Sequence, residues 1–217
     1  MSTSPQQAMF QQPIPLTRGE AMTKLTTLVG QDLRPLADAF GVTVFRDGRL
    51  NKGWAGQTIE RYLGLPPDAA QAPDFGDWEL KAVPLMLGQD LMPRLKETMA
   101  ITMFEPAHLE QTEFEDSHLL AKLKRIVVVA RLYEGPHLKR SVVYGFAPFD
   151  LHEGTDLYDA IKEDYEEIRW TVSNRGQHAL TGAVGKWVHP RPKGGKGALT
   201  MGFYAHKALV LRILGLS

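Results

Sequence analysis

The side chains with the clearest chemical potential lie in one short stretch, from Pro73 to Lys81. Glu79 and Lys81 are two residues apart, so on a β-strand their side chains point to the same face. Asp74 lies just upstream and can fold back toward them. Two carboxylates can hold a divalent cation while an ammonium group faces the water or phosphate that reacts there. This spacing predicts a metal site, although a solvated strand can carry the same triplet by chance.

Basic side chains gather in a second segment near the C-terminal end of the chain. Within eleven residues the segment contains Lys186, His189, Arg191, Lys193 and Lys196. The prolines and glycines between them predict an irregular loop, which is typical of segments that contact phosphates and bases. A solvated hairpin loop explains this segment equally well by itself, because lysine is so often merely exposed. A metal site, an ammonium group and a phosphate-binding loop together indicate an enzyme that hydrolyses phosphodiesters.

The composition argues against several other classes of protein. The 217 residues include 25 basic and 25 acidic side chains, and this zero net charge argues against a histone-like basic binder. The chain has no cysteine, which excludes disulfides and cysteine-based zinc sites. Its histidines show no metal-ligand spacing, and the GGKG at 194–197 lacks the first glycine and the final Ser or Thr of a P-loop. No G-x-S-x-G nucleophile motif occurs.

The elements that position these groups follow from apolar periodicity and capping residues. We predict helices after a Thr17–Glu20 capping box and at 33–40, 54–63, 116–125, 156–172 and 208–214, and strands at 77–83, 98–104, 126–130 and 141–146. The apolar run 126–130 is typical of a central strand buried on both faces. We expect strands 77–83 and 98–104 to pair antiparallel, and we interpret 86–96 as an irregular link. On the helix 156–172 we place four acidic residues on the exposed face: Glu163, Asp164, Glu166 and Glu167.

We predict a flexible tail at residues 1–16, followed by one folded domain at 17–217. The tail lacks the basic-then-apolar pattern of a signal peptide. No apolar run approaches the ~18 residues that span a membrane. We therefore expect a cytoplasmic protein without a membrane partner.

The chain resembles the MutH family, which comprises the strand-nicking endonucleases of methyl-directed mismatch repair and related restriction endonucleases that cut GATC. The matching stretches follow the family's order over about residues 50–207: LNKGWAGQTIERYLG, PDFGDWELKAVPL, KETMAITMF, SHLLAKLKRIVVVA, EDYEEI, HPRPK and GFYAHK. This resemblance implies an α/β, restriction-endonuclease-like fold. In that fold a central mixed sheet is flanked by helices, and two lobes surround a DNA cleft.

The resemblance also implies the roles of individual residues. Asp74 and Glu79 would bind Mg²⁺, for which Mn²⁺ can substitute, and Lys81 would be the catalytic lysine. Glu60 and Lys122 would complete the active site. Without the resemblance, we would interpret Glu60 as a solvated helix residue. The DNA-binding residues would be Lys52, Arg191, Lys193, Lys196, Tyr204 and Lys207. Because the spacing from Asp74 to Glu79 is shorter than we expect for the repair enzymes, Asp77 remains an alternative to Asp74.

Three functions compete at this point, and all of them take double-stranded DNA as partner. The first is a mismatch-repair nickase that a MutL-like ATPase switches on. The second is a stand-alone type II restriction endonuclease that cuts both strands, usually as a homodimer on DNA. The third is a non-cleaving DNA-binding module, against which the intact set of charged site residues argues. The recognition sequence and the methylation preference stay open.

Overall fold

The computed structural model describes residues 16–65, 73–135, 137, 140–193 and 200–216. The predicted flexible tail, apart from Leu16, lies outside these residues, and so does Lys196. Within the described residues the α-helices are α1 Arg18–Thr26, α2 Leu33–Ala39, α3 Trp54–Tyr62, α4 Pro106–Gln111, α5 His118–Leu123, α6 Asp156–Arg175 and α7 Lys207–Leu214. The strands are β1 Phe45–Arg46, β2 Arg49–Leu50, β3 Glu79–Leu87, β4 Pro93–Leu95, β5 Met99–Phe104, β6 Arg125–Leu132, β7 Val143–Asp150, β8 Val188–Pro192 and β9 Met201–Ala205.

Local signals account for most of these helices. The capping box predicted at the start of α1 is present, since the Glu20 carboxylate accepts the Thr17 N–H at 2.9 Å. The Thr155 hydroxyl caps α6 by accepting the N–H of Tyr158 at 3.3 Å. Among the described helices, none is both long enough and apolar enough to cross a membrane.

The central sheet has the strand order β4-β3-β6-β7 and is mixed. β3 and β6 are parallel, with Glu79 opposite Ile126 and Leu85 opposite Leu132. β4 pairs antiparallel with β3, and β7 pairs antiparallel with β6. A mixed sheet flanked by helices confirms the predicted restriction-endonuclease-like fold.

The predicted partner of β5 is wrong. β5 pairs with β9 in a second sheet of order β5-β9-β8, and it makes no ladder with β3. The physical reason is that both edges of β3 are already taken. β6 occupies one edge, and on the other edge the chain turns back at once to form β4, so 86–96 is a hairpin rather than an irregular link.

β6 separates two hydrophobic cores, as expected for a strand buried on both faces. Ile126, Val128 and Ala130 pack into the core that contains α5, α6 and α7 residues. Val127 and Val129 pack into the other core, which is formed with α1, α2 and α3. Burying a single valine stabilises the fold by about 1.5–3 kcal/mol, so this strand contributes to both halves at once.

Candidate active site

The turn Asp74–Trp78 delivers the acidic residues to the start of β3. Phe75 and Trp78 are buried and their rings stack, with centroids 3.9 Å apart. The Phe75 N–H donates to the Trp78 carbonyl at 3.1 Å, and Gly76 takes a φ of 79°. Such a left-handed residue favours glycine because it has no Cβ. The turn therefore buries its two aromatic rings and leaves its two aspartates to pair with different side chains, Asp74 with Lys122 and Asp77 with Arg125.

Glu79 is the centre of the charged cluster. Its side chain is fully buried, and its Oε1 forms ion pairs with Lys81 Nζ and, at 3.2 Å, with Lys122 Nζ. Its Oε2 accepts the backbone N–H of Asp74 at 3.1 Å. A buried carboxylate is tolerated only when it is paired and hydrogen-bonded. Two ammonium groups and one amide meet that requirement here.

The structure brings Asp74, and not Asp77, into this cluster. Asp74 Oδ1 lies 3.8 Å from Lys122 Nζ. Burial raises the pKa of Asp74, and the Glu79 charge raises it further against the opposing effect of Lys81 and Lys122. Asp77 is 66% exposed and pairs with Arg125. Because β3 begins only at Glu79, Asp77 lies in the turn and does not share a strand face with Glu79.

α3 carries Glu60 to the same place. This side chain is partly buried, and its pKa is raised to about 7. Burial is the main cause, followed by the charge of Asp74; Lys81 opposes the shift, Glu79 adds to it, and Lys122 opposes it. Glu60 is partly buried and within electrostatic reach of the other four charged residues, so it is not the solvated helix residue that the sequence alone suggests.

α5 supplies Lys122 from a distant part of the chain. Ser117 caps the start of this helix, because its hydroxyl accepts the Leu120 N–H at 3.1 Å. Lys122 is 7% exposed, and its ammonium reaches both Glu79 and Asp74. All five predicted active-site residues therefore lie in one cluster, while their chemical roles remain predictions.

The donor set fits a hard divalent cation. Among the described residues, no group of three or more His, Asp or Glu side chains has the arrangement of a metal site. Mg²⁺, however, is commonly bound by one or two carboxylates and keeps several waters. Asp74 and Glu79 offer those two carboxylates. Burial, followed by neighbouring carboxylates, raises the pKa of Asp74 and of Glu60, and a bound cation would favour the ionised forms.

Arg191 and Tyr204 share one face of the second sheet. The Arg191 guanidinium lies over the Tyr204 ring, 5.7 Å from its centroid, and Nη1 donates to Thr98 Oγ1 at 3.0 Å. Burial raises the pKa of Tyr204, Arg191 lowers it and Glu97 raises it. The arginine side chain therefore reaches across β9 to Thr98, which precedes β5.

The remaining predicted DNA-binding lysines are exposed where the structure describes them. Lys193 follows β8, Lys52 precedes α3, and Lys207 is the first residue of α7. The Lys193 N–H donates to the Thr200 carbonyl at 2.8 Å, which closes the end of the β8–β9 pair. Exposure alone does not assign these side chains a role.

His189 lies on the same face, opposite Tyr204 in the β8–β9 ladder, and it stacks with His206 with the ring centroids 4.0 Å apart. His189 is 4% exposed, and neither of its ring nitrogens has a hydrogen-bond partner among the described residues. Burial, helped by His206 and Arg191, lowers the pKa of His189 to about 4. The ring is therefore neutral at physiological pH, and its basic character in the sequence does not become a charge in the fold.

The expectation that Asp164 lies on the exposed face of α6 is wrong. Asp164 is 5% exposed, and its carboxylate accepts the backbone N–H groups of Lys186, Trp187 and Val188. A usable signal was present, because Asp164 lies three residues after Ile161 and four before Ile168. Both are core residues of α6, and this spacing puts Asp164 on their stripe.

Comparisons with known proteins show which proteins the chain is similar to. A family model described as "DNA mismatch repair enzyme MutH" matches residues 63–152, which include Asp74, Glu79, Lys81 and Lys122. The "DNA mismatch repair protein MutH" of Vibrio cholerae serotype O1 is 29% identical over 200 residues, covering 89% of this chain and 87% of that protein. The protein of the same name from Haemophilus influenzae is 24% identical over 217 residues, covering 93% of this chain and 96% of that protein.

A solved structure titled "Restriction endonuclease MvaI-cognate DNA substrate complex" covers 83% of this chain and 95% of its own. Its sequence identity is 14% and its TM-score is 0.37, so this overlap carries no argument. The family-model match and the two near full-length sequence matches are the more informative comparisons. Over most of its length the chain is therefore similar to members of the MutH family.

Proposed function

We propose that this protein is a Mg²⁺-dependent endonuclease that hydrolyses a phosphodiester of double-stranded DNA at a short, GATC-like site. The observation that carries the proposal is the buried Glu79 carboxylate, which Lys81 and Lys122 pair beside Asp74 and Glu60. Three acids and two lysines gathered in a partly buried cluster cost stability, and a catalytic role accounts for that cost. The relatives named for DNA mismatch repair indicate the substrate.

Asp74 and Glu79 would hold Mg²⁺, and Mn²⁺ would substitute because it prefers the same oxygen ligands. The bound ion supplies electrostatic stabilisation of the scissile phosphate and the leaving oxygen. Lys81 then positions the attacking water or helps to remove its proton. Lys122 stabilises the negative charge of the transition state from a fixed, buried position. Glu60, whose pKa is about 7, orients the water or the Lys81 ammonium.

Residues of the second sheet would recognise the DNA sequence. The Arg191 guanidinium can donate two hydrogen bonds to a guanine, which is worth about 1–3 kcal/mol of discrimination. Tyr204 lies beneath this guanidinium and would contact the neighbouring bases. Lys52, Lys193, Lys196 and Lys207 would contact phosphates, which position the duplex without reading it.

We propose the repair nickase rather than the restriction enzyme, because the relatives that match most of the chain are named for mismatch repair. The nickase would cut one strand and would respond to a MutL-like ATPase. A restriction enzyme would cut both strands without any partner and would dimerise on its site. The form of the cleaved plasmid separates the two functions.

The test is cleavage of a supercoiled plasmid that carries unmethylated, hemimethylated or fully methylated GATC sites, in Mg²⁺ and in EDTA. We expect nicked circles in Mg²⁺ only. Glu79→Ala and Lys81→Ala should each lower the rate by about 10²–10⁴-fold, which is typical of lost catalytic groups. Lys81→Ala should retain its affinity for the duplex. Variants that cut as fast as the parent would refute the site assignment.

A further inference from the structure

The buried carboxylate of Asp164 accepts hydrogen bonds from three successive backbone amides. Its carboxylate accepts the N–H groups of Lys186 at 2.6 Å, Trp187 at 2.6 Å and Val188 at 2.8 Å. Within the part of the chain that the structure describes, Asp164 forms no ion pair with a cationic side chain. Backbone dipoles alone therefore meet the charge of this buried carboxylate, and such charge-assisted hydrogen bonds are strong.

Gly185 lets the chain approach Asp164 this closely. Its φ is 83°, and a Cβ at this position would lie 1.9 Å from the Val188 carbonyl oxygen and 3.3 Å from the Asp164 carboxyl carbon. No other residue fits that space without moving the backbone. Asp164, Gly185 and the amides of residues 186–188 thus form one tight unit, which we call the Asp164 clamp.

The clamp holds the beginning of β8. Among the described strands, β8 lies at the edge of the sheet β5-β9-β8 and pairs with β9 alone. Val188 donates to Asp164 and is also the first residue of β8. Arg191 follows three residues later, and its guanidinium lies over Tyr204 and bonds Thr98. A shift in the start of β8 would therefore displace the guanidinium from Tyr204.

We infer that Asp164 is a positioning residue for DNA recognition, because its carboxylate fixes the start of β8 and thereby the site of Arg191. The inference rests on the proposed function, in which Arg191 contacts the duplex. Asp164 takes no part in the chemical step, since its partners are the amides behind the recognition sheet. Asparagine has nearly the same shape, yet it offers one accepting oxygen and directs an NH₂ group at donors. Asp164→Asn therefore loosens the clamp without leaving a cavity.

The first test separates binding from catalysis on a short duplex with one GATC site. Asp164→Asn should raise the Kd measured in EDTA, and the KM in Mg²⁺, by about tenfold, the effect of losing one charge-assisted bond. Its kcat at saturating duplex should stay within about twofold of the parent. Glu163→Gln is the matched control, because it removes one charge from the same turn of α6 at an exposed position. A parent-like KM, or an equal loss in kcat, would overturn the inference.

A double-mutant cycle tests whether the effect passes through Arg191. In an Arg191→Ala background, Asp164→Asn should change the Kd by less than about twofold, since the group it positions is gone. Fully additive effects would contradict the inference.

Amide hydrogen exchange is measured on the parent protein, so this test does not depend on whether a variant folds. The amides of Lys186, Trp187 and Val188 should exchange slowly, like core amides. Exchange as fast as in an exposed loop would refute the clamp. A parent that binds and cleaves no GATC duplex would instead refute the proposed function, while the exchange result would stand.

Discussion

At the scale of single residues, the active site stores unfavourable electrostatic energy. Glu60, Asp74 and Glu79 lie together with only Lys81 and Lys122 to offset them, and the pKa of Glu60 is raised to about 7. Groups with strongly shifted pKa values gather at functional sites because function requires charges that the fold alone would avoid. The free protein should therefore gain stability when one of these acids becomes neutral.

Glu60→Gln tests this stored energy through its pH dependence. The folded pKa of Glu60, about 7, exceeds the ordinary glutamate pKa of 4.5, so the folded state loses stability as the pH rises from 4.5 through 7. In EDTA we expect the variant to be more stable than the parent by roughly 1–3 kcal/mol at pH 8 and equal to it near pH 4. Urea unfolding at the two pH values measures the difference. Equal stability at pH 8 would show that Glu60 is not under strain.

At the scale of elements, the β3–β4 hairpin exposes several large apolar side chains. Met86, Leu87, Leu91 and Met92 are all exposed, and Leu91 is 75% exposed. Leu91 also adopts a φ of 59°, a left-handed conformation that costs a leucine energy. The hairpin lies at the opposite end of β3 from Glu79 and Lys81, so its sequence can change without touching the charged cluster.

Leu91→Asn should stabilise this hairpin by about 0.5–1 kcal/mol, because asparagine tolerates the left-handed region better than leucine does. The variant should also be more soluble, since it removes an exposed apolar side chain. The denaturation midpoint and the DNA-cleavage rate measure the two effects, and the rate should equal that of the parent. A lower midpoint would mean that the Leu91 side chain makes contacts that stabilise the turn.

At the scale of the whole molecule, net charge cannot drive DNA binding. The chain has 25 basic and 25 acidic residues, so attraction to a duplex must come from a local surface. The exposed lysines proposed as phosphate contacts would provide that surface, and each contact releases counterions. Affinity should therefore depend on salt according to the number of phosphates contacted.

Lys193→Ala should weaken binding to every duplex equally and lower the slope of log K against log salt by about 1. Arg191→Ala should instead lose discrimination between GATC and altered sites. Binding titrations at several salt concentrations, with matched and altered duplexes, distinguish these outcomes. If Lys193→Ala changed specificity but not the slope, Lys193 would be a base contact.

The sequence predicted local features better than pairings between distant segments. The shared face of Glu79 and Lys81 and the capping of α1 and α6 depend on neighbouring residues, so local sequence patterns predicted them. Lys122 came from family resemblance, because no local pattern connects it to Glu79, 43 residues away. The partner of β5 and the burial of Asp164 were predicted wrongly, because both depend on which distant segment occupies a given edge or surface.

The parallel pairing of β3 with β6 also has a consequence for folding. Glu79 begins β3, and Lys122 lies just before β6, so the two side chains meet only once these strands have aligned. Parallel pairs between distant segments form slowly, because a long loop must close first. A partly folded chain therefore has neither the assembled charges nor the activity. We therefore expect the proposed DNA cleavage only after the central sheet is complete.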